Sequence, residues 1–158
     1  MLKKLWRWLP VALWLCVIWW FSSHTGERSG NLSGGLTAWL LSHVVPHWES
    51  LSPMAQSEWL SVGRMVIRKG AHMTEFAVLA MLLFNAWYNG KRPLRRVALL
   101  TAPCCLLVAM ADEFHQAFVP ARGPSIGDVF IDFAGALLGI LLILLVAVLV
   151  RRCRRSKE

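Results

Sequence analysis

Four apolar runs constrain this chain more than any other feature, because each approaches the length of a membrane-crossing helix. About 20 predominantly apolar residues in a helix cross the hydrocarbon core of a bilayer. The runs cover residues 5–21, 65–88, 97–118 and 126–150. The chain has 158 residues, of which 56% are hydrophobic and 9 are Trp, a residue that favours the membrane interface. We therefore predict one all-α integral membrane domain over residues 1–158, built as a four-helix transmembrane bundle.

Basic residues between the runs predict how the chain is oriented. Lys and Arg cluster before the first run, in the loop at residues 90–96 and in the tail at residues 151–158. Because cytoplasmic loops are enriched in Lys and Arg, we expect both termini in the cytoplasm, as four spans require. The formal net charge of +8 is explained by this flanking pattern, which argues against nucleic acid as a partner. The first run lacks an A-x-A-like cleavage site after it, so we predict a retained span.

A segment at residues 22–64 lies between the first two spans and is expected on the outer side. Its apolar positions with a helical period are Leu36, Trp39, Leu40 and Val44, a pattern typical of a helix lying in the membrane interface. Ser52-Pro53 resembles a helix start, with a capping residue followed by Pro at the first helical position. The segment either covers the polar residues as a lid or rests on the membrane surface.

Acidic side chains and histidines, accompanied by Lys69, occur inside three of the four predicted spans. They are Lys69, His72 and Glu75 in the second span, Asp112, Glu113 and His115 in the third, and Asp128 and Asp132 in the fourth. In the predicted topology all of them fall in the outer half of the bilayer. Each charged side chain costs about 2.5–3.5 kcal/mol at a helix centre on insertion scales. A cluster of this kind therefore predicts a functional site.

Helical spacing groups these side chains further. The sets at spacings of three and four residues are Arg68, His72 and Glu75; Asp112, His115 and Gln116; and Asp128 and Asp132, and such residues share a helix face. Structural roles are the alternatives for some of them, since basic residues near helix ends snorkel to the surface. Asp128 also fits a capping-box acid after Ser125.

Two other patterns concern packing rather than chemistry. Gly135 and Gly139 form a small-xxx-small pair, which lets membrane helices approach closely. The four cysteines show no metal-binding spacing, so we interpret them as small packed hydrophobic residues.

The polar residues also resemble a known family. Arg68-Lys69-Gly70-Ala71-His72-Met73-Thr74-Glu75-Phe76 resembles the K-x-x-H-x-x-E-[YF] pattern of the VanZ family. The likeness continues through Asp112-Glu113-Phe114-His115-Gln116, Arg122-Gly123 and Asp128-x-x-x-Asp132-x-x-Gly135. Phe21-Ser22-Ser23 resembles the serine that closes the family's first span. The resemblance implies a small multi-pass protein of the bacterial cytoplasmic membrane, loosely associated with glycopeptide or lipoglycopeptide resistance, and implies no particular reaction.

The residue types favour a site for a phosphate-bearing envelope lipid. The predicted substrate-binding residues are Arg68, Lys69, Gln116 and Arg122, because Arg and Lys bind phosphate oxygens. The predicted metal ligands are Asp112, Glu113, Asp128 and Asp132, whose oxygens suit Mg²⁺ or Mn²⁺; Zn²⁺ becomes the alternative if His supplies ligands. The predicted catalytic set is His72, Glu75, Asp112, Glu113 and His115, with a histidine as general base and Glu75 orienting it.

Two classes of function remain open from the sequence. One is a metal-assisted lipid phosphotransferase or hydrolase, although the chain has neither a G-x-S-x-G elbow nor a phosphate-binding P-loop. The other is a non-enzymatic scaffold that binds membrane lipids, a lipid-linked envelope intermediate or a glycopeptide, or that alters drug access. A chaperone subunit or a small transporter also belongs to this class, and a transporter would require a homo-oligomer.

Overall fold

The computed structural model describes residues 2–123 and 125–155, with side chains for residues 6–25, 30–31, 33–123 and 125–154. This part of the chain is helical and contains no strand. The elements are α1 (Leu2–Ser22), α2 (Gly26–Val44), a short 3-10 helix (Trp48–Ser50), α3 (Pro53–Trp87), α4 (Leu94–Gln116) and α5 (Ile126–Arg155). The all-α prediction is confirmed.

Two of these helices are long and apolar enough to cross a membrane by length and composition. They are Leu94–Gln116, with a mean hydropathy of 1.7, and Ile126–Arg154, with a mean hydropathy of 3.1. The predicted first and second spans form helices too, but they do not reach this standard among the described residues. Lys69, His72 and Glu75 interrupt the apolar sequence of α3, whereas the side chains of α1 are described only over residues 6–22. Four such helices were expected, and two of the described helices meet the criteria of length and apolar composition.

Helix α3 begins well before the apolar run that predicted it. Ser52 caps its start, accepting a hydrogen bond from the Ala55 backbone N–H at 3.3 Å, and Pro53 is the first residue. The predicted helix start is confirmed. With 35 residues and a rise of about 1.5 Å each, α3 is about 52 Å long, well over the ~30 Å of a hydrocarbon core. The polar residues lie near its middle.

Helix α2 packs along the early part of α3. Thr37 and Leu41 are buried there, both close to Gly63. The periodic apolar residues Leu36, Trp39, Leu40 and Val44 lie on the exposed side. The predicted amphipathic helix thus exists, and these four apolar side chains are exposed rather than packed in the core.

Helix α3 is central and contacts α1, α2, α4 and α5. Its closest neighbour is α5, where a Cβ on Gly135 would overlap the Met73 backbone and one on Gly139 would overlap the Ala77 backbone. The predicted close approach at the two glycines is confirmed. The buried core between the helices includes Phe76, Leu79, Val97, Cys105 and Ala136.

Long-range hydrogen bonds show how the helices run. Helix α1 is antiparallel to α3, because Arg7 donates to the Tyr88 carbonyl at one end and the Trp14 indole donates to the Glu75 carbonyl at 2.9 Å farther along. The end of α1 meets the end of α4. One end of the bundle therefore collects the end of α1, the middle of α3, the end of α4 and the start of α5.

All four cysteines are free thiols. Cys105 is buried in the core, Cys104 is half-buried, and Cys16 and Cys153 are exposed. The interpretation as packed hydrophobic residues holds for Cys105 rather than for the whole set.

Candidate functional site

The polar side chains of three helices surround one small cavity at this end of the bundle. The cavity has a volume of about 100 Å³. Its polar lining residues are Arg68, Lys69, His72, Glu113, Gln116, Arg122, Asp128 and Asp132. The expectation that α3, α4 and α5 present their charges to the same region is met.

Asp112 lies at the buried centre of this region, where two neutral donors hold its carboxylate. The Ser22 hydroxyl donates to Oδ1 at 2.6 Å, and the Gln116 amide donates to Oδ2 at 2.7 Å. The same amide lies 3.3 Å from the Ser22 Oγ. These bonds fix the orientation of the carboxylate, yet each oxygen keeps a lone pair for another ligand.

Arg122 extends this network from the turn between α4 and α5. Its Nη1 donates to Gln116 Oε1 at 2.7 Å, its Nε to the His24 carbonyl at 3.0 Å, and its Nη2 to the Phe21 carbonyl at 3.3 Å. Partial burial lowers the pKa of the guanidinium from its ordinary value, but arginine stays protonated in proteins. A guanidinium has five N–H donors, so capacity remains for a phosphate oxygen at the cavity.

A potential metal-binding trio lies beside this network. One ligand atom from each of His72, Asp112 and Asp132 falls within 4.8 Å of the others. His72 Nδ1 is 3.9 Å from Asp132 Oδ1 and 3.7 Å from Glu75 Oε2, both too long for hydrogen bonds. The side chain of Asp132 is only 2% exposed.

Two atoms of the trio are buried without a hydrogen-bond partner in the described structure, namely His72 Nδ1 and Asp132 Oδ1. A buried polar atom left unpaired costs about 1–3 kcal/mol, and more when it is charged. An ion bridging the nitrogen and the oxygen would satisfy both. Metal bonds to imidazole and carboxylate are about 2.0–2.2 Å long, so a small closing movement of the side chains is enough.

The glycine contacts explain why the trio forms. Gly135 lies three residues after Asp132, and its backbone packs directly on the backbone of Met73, the neighbour of His72. A larger residue at position 135 would separate α3 from α5 and move Asp132 away from His72. Helix packing at one glycine therefore determines the geometry of the site.

An apolar groove adjoins the polar cavity on the side of α1, α2 and α3. It has a volume of about 260 Å³, and Phe21, Leu36, Ile67 and Ala71 supply apolar walls. Arg68, His72 and Arg122 line both the groove and the polar cavity. A molecule with an apolar chain and a polar head could thus occupy the two spaces together.

Comparison with known families places the chain among related proteins. Residues 7–148 match the VanZ/LLP1 family. The chain belongs to the VanZ/LLP1 family. The match spans every residue of the Asp112 network and of the trio, and the predicted family resemblance is confirmed. Neither the curated proteins nor the solved structures contain a match to the chain.

Several predicted site residues of this VanZ/LLP1 chain make other contacts. The Lys69 ammonium pairs with Asp128 Oδ1 at 3.0 Å, and both side chains are about one-third exposed. Glu113 accepts a hydrogen bond from the Ser125 backbone N–H and so holds the turn before α5. The structure therefore brings Asp112 and Asp132 to His72. The other two predicted carboxylate ligands, Glu113 and Asp128, line the same cavity but are engaged by Ser125 and Lys69.

His115 lies apart from this cluster. Its ring stacks on Trp19 with centroids 3.9 Å apart, and Nε2 is 3.2 Å from the Ser23 hydroxyl. It is absent from the described lining of the polar cavity. Of the two histidines predicted as general bases, His72 is the one that lies with the carboxylates.

Two residues of the site were outside the predicted set. Ser22 is 1% exposed and bonds to Asp112; its likeness to the serine of the family's first span was the signal for it. His24 is buried in the wall of the apolar groove with its Nε2 unpartnered, while Nδ1 lies 2.7 Å from the Trp20 carbonyl. His24 follows the end of α1, and no sequence pattern marked it.

Proposed function

We propose that this chain is an envelope membrane protein that binds a phosphate-bearing lipid together with a divalent cation. The observation that carries the proposal is the sharing of Arg68, His72 and Arg122 between a polar cavity and an apolar groove. A soluble phosphate compound would need the first space only, whereas a lipid uses both. A phosphate-bearing cell-wall intermediate is one such lipid, in keeping with the link between glycopeptide resistance and the resembled family.

The charge balance of the cluster supports a bound cation. Among the described side chains around the site, the carboxylates are Glu75, Asp112, Glu113, Asp128 and Asp132, and the permanent cations are Arg68, Lys69 and Arg122. The carboxylates outnumber the cations by two. When the carboxylates are ionised, a bound divalent ion would offset this excess and favour a bound phosphate. The metal and the lipid are expected to bind cooperatively.

His72, Asp112 and Asp132 are the proposed ligands of this ion. An imidazole nitrogen favours Zn²⁺ or Mn²⁺ over Mg²⁺, which prefers oxygen ligands and retained water. Ser22 and Gln116, which bond to Asp112, would orient that ligand as outer-shell residues do. Arg68 and Arg122 would then contact the phosphate oxygens, and the lipid chain would lie in the apolar groove.

We further propose that α1 and the later part of α3 cross the membrane together with α4 and α5. The flanking basic clusters support a cytoplasmic location for both termini, and the polar cluster would then lie in the outer half of the bilayer. The exposed apolar stripe of α2 would rest in the outer interface, beside the groove.

The proposed orientation predicts where Cys153 is accessible. Cys153 is an exposed free thiol in the basic tail. A membrane-impermeant maleimide is expected to label it only after the cells are permeabilised, with the Cys153→Ser variant giving the background from the other cysteines. Labelling of Cys153 in intact cells would contradict the orientation.

Lipid binding can be tested with one arginine inside the site and one outside it. Arg68 lines both spaces, whereas Arg64, one turn earlier on α3, is absent from the described linings of both. In nanodiscs with envelope lipids and Mn²⁺ or Zn²⁺, Arg68→Gln is expected to lower retention of the bound phospholipid at least about tenfold, the loss of one charge-assisted contact. Arg64→Gln should retain it.

Mass spectrometry of every lipid in the same experiment separates binding from turnover. Retention of an unchanged lipid that EDTA releases supports the proposed binding function. Conversion of a lipid by the wild type, but not by Asp112→Asn, would make the protein a metal-assisted lipid enzyme. Equal lipid retention with EDTA, or equal retention by Arg68→Gln and Arg64→Gln, would contradict the proposal.

A further inference from the structure

A second groove lies at the opposite end of the bundle, far from the polar cluster. It has a volume of about 580 Å³ between the end of α3, the start of α4 and the end of α5. Its walls are apolar, with Phe84 at the buried side and Leu142, Val146 and Val150 at the open side. The size falls within the 300–1,000 Å³ of typical ligand pockets.

Two arginines stand at the mouth of this groove. Arg151 and Arg154 are three residues apart on α5, so they share the helix face that lines the groove. Arg152, rotated by about 100° from Arg151, does not belong to the described lining. The guanidinium groups of Arg151 and Arg154 therefore face the groove, whereas Arg152 only contributes to the basic cluster at the end of α5.

The chemistry of the groove identifies its occupant. No acidic side chain contributes to the described lining, so an anionic group at the mouth meets two guanidinium groups without a competing carboxylate. Guanidinium groups bind phosphate through paired hydrogen bonds, and the exposed apolar walls suit an acyl chain. We propose that this groove binds one anionic glycerophospholipid of the leaflet opposite to the polar cluster.

This inference depends on the proposed membrane embedding of α3, α4 and α5, but not on the cation or on the lipid of the polar cluster. It gives the protein a second lipid site, with a different headgroup requirement and on a different leaflet. The two sites share no described lining residue.

Native mass spectrometry of the delipidated protein, titrated with phosphatidylglycerol in EDTA, tests the site. The Arg151→Gln/Arg154→Gln variant is expected to bind the first lipid at least tenfold more weakly than the wild type. The matched control is Arg152→Gln/Arg95→Gln, which removes the same charge from positions outside the described lining. Ala147→Phe fills the groove without changing charge and should weaken binding to a similar degree.

Each comparison has a result that would overturn the inference. An equal loss in the control variant would mean that surface charge alone attracts the lipid. Equal binding of phosphatidylethanolamine would contradict the requirement for an anionic headgroup. Unchanged binding by Ala147→Phe would show that the lipid does not occupy the groove. Because the titration is carried out in EDTA, it does not depend on the cation of the polar cluster, so a failure of the polar-cluster proposal stays distinguishable from a failure here.

Discussion

Replacement of Asp132 by asparagine is expected to lower divalent-cation affinity by more than roughly 100-fold, since even outer-shell partners of a metal contribute about 10–100-fold. The trio would lose a charged ligand whose Oδ1 is buried and unpartnered. Asparagine has nearly the same shape, so the helices should still pack. We expect unfolding in detergent near the wild-type temperature, because a volume-conserving substitution leaves the packing of the helices unchanged. Calorimetric titration with Mn²⁺ or Zn²⁺, beside thermal unfolding, measures both effects.

Asp128→Asn is the matched control for this variant. Asp128 lies one turn earlier on α5, but it is partly exposed and paired with Lys69. An exposed ion pair contributes about 0–1 kcal/mol, so stability and metal affinity should change little. If Asp128→Asn abolished metal binding and Asp132→Asn did not, the ion would be held by Asp128 rather than by the His72 trio. Loss of folded protein in Asp132→Asn would instead indicate a purely structural network.

Gly135→Ala is expected to destabilise the bundle by about 1–3 kcal/mol or more, the usual cost of overpacking a tight contact. The added Cβ would overlap the Met73 carbonyl oxygen and Cα, which are backbone atoms and cannot rotate aside. Because α5 must move away from α3, Asp132 should also separate from His72. Thermal unfolding in detergent and metal titration are expected to show both losses together.

Gly70→Ala provides the control for an added methyl group. Gly70 also lies within a helix, and no atom in the described structure would lie within 4 Å of its new Cβ. Alanine there should leave stability unchanged or raise it by up to about 1 kcal/mol, owing to its helix propensity. Equal unfolding temperatures for Gly70→Ala and Gly135→Ala would contradict the close contact between α3 and α5.

Much of the fold follows from local sequence patterns. The all-helical class, the start of α3 at Ser52-Pro53, the amphipathic α2 and the glycine contact on α5 were all predicted from spacing and composition. The extent of the second helix was not, because hydrophobicity marks the segment buried in lipid or core, whereas hydrogen bonding continues the helix from Pro53. Helix α3 fell short of an ordinary apolar span because it carries the charges of the site.

The sequence predicted which residues form the site, but it did not predict how their side chains are arranged in space. Spacing placed Asp112 with Gln116, and these two side chains are hydrogen-bonded. It also grouped Asp112 with His115, but the imidazole turns toward Trp19 and Ser23 on α1. A three-residue spacing limits two side chains to one side of a helix, and the neighbouring helix then decides which surface each one reaches.

The sequence by itself predicted that the polar residues would collect at one end of the helical bundle, because their positions alternate between the starts and the ends of successive apolar runs. Only the tertiary structure decided which carboxylates meet. The backbone contact of Gly135 with Met73 brings Asp132 to His72, while the turn before α5 engages Glu113 and the exposed edge pairs Asp128 with Lys69. The physical reason is that the helical period fixes the directions in which side chains point around one helix, whereas the distances between side chains on different helices depend on how closely the helix backbones pack.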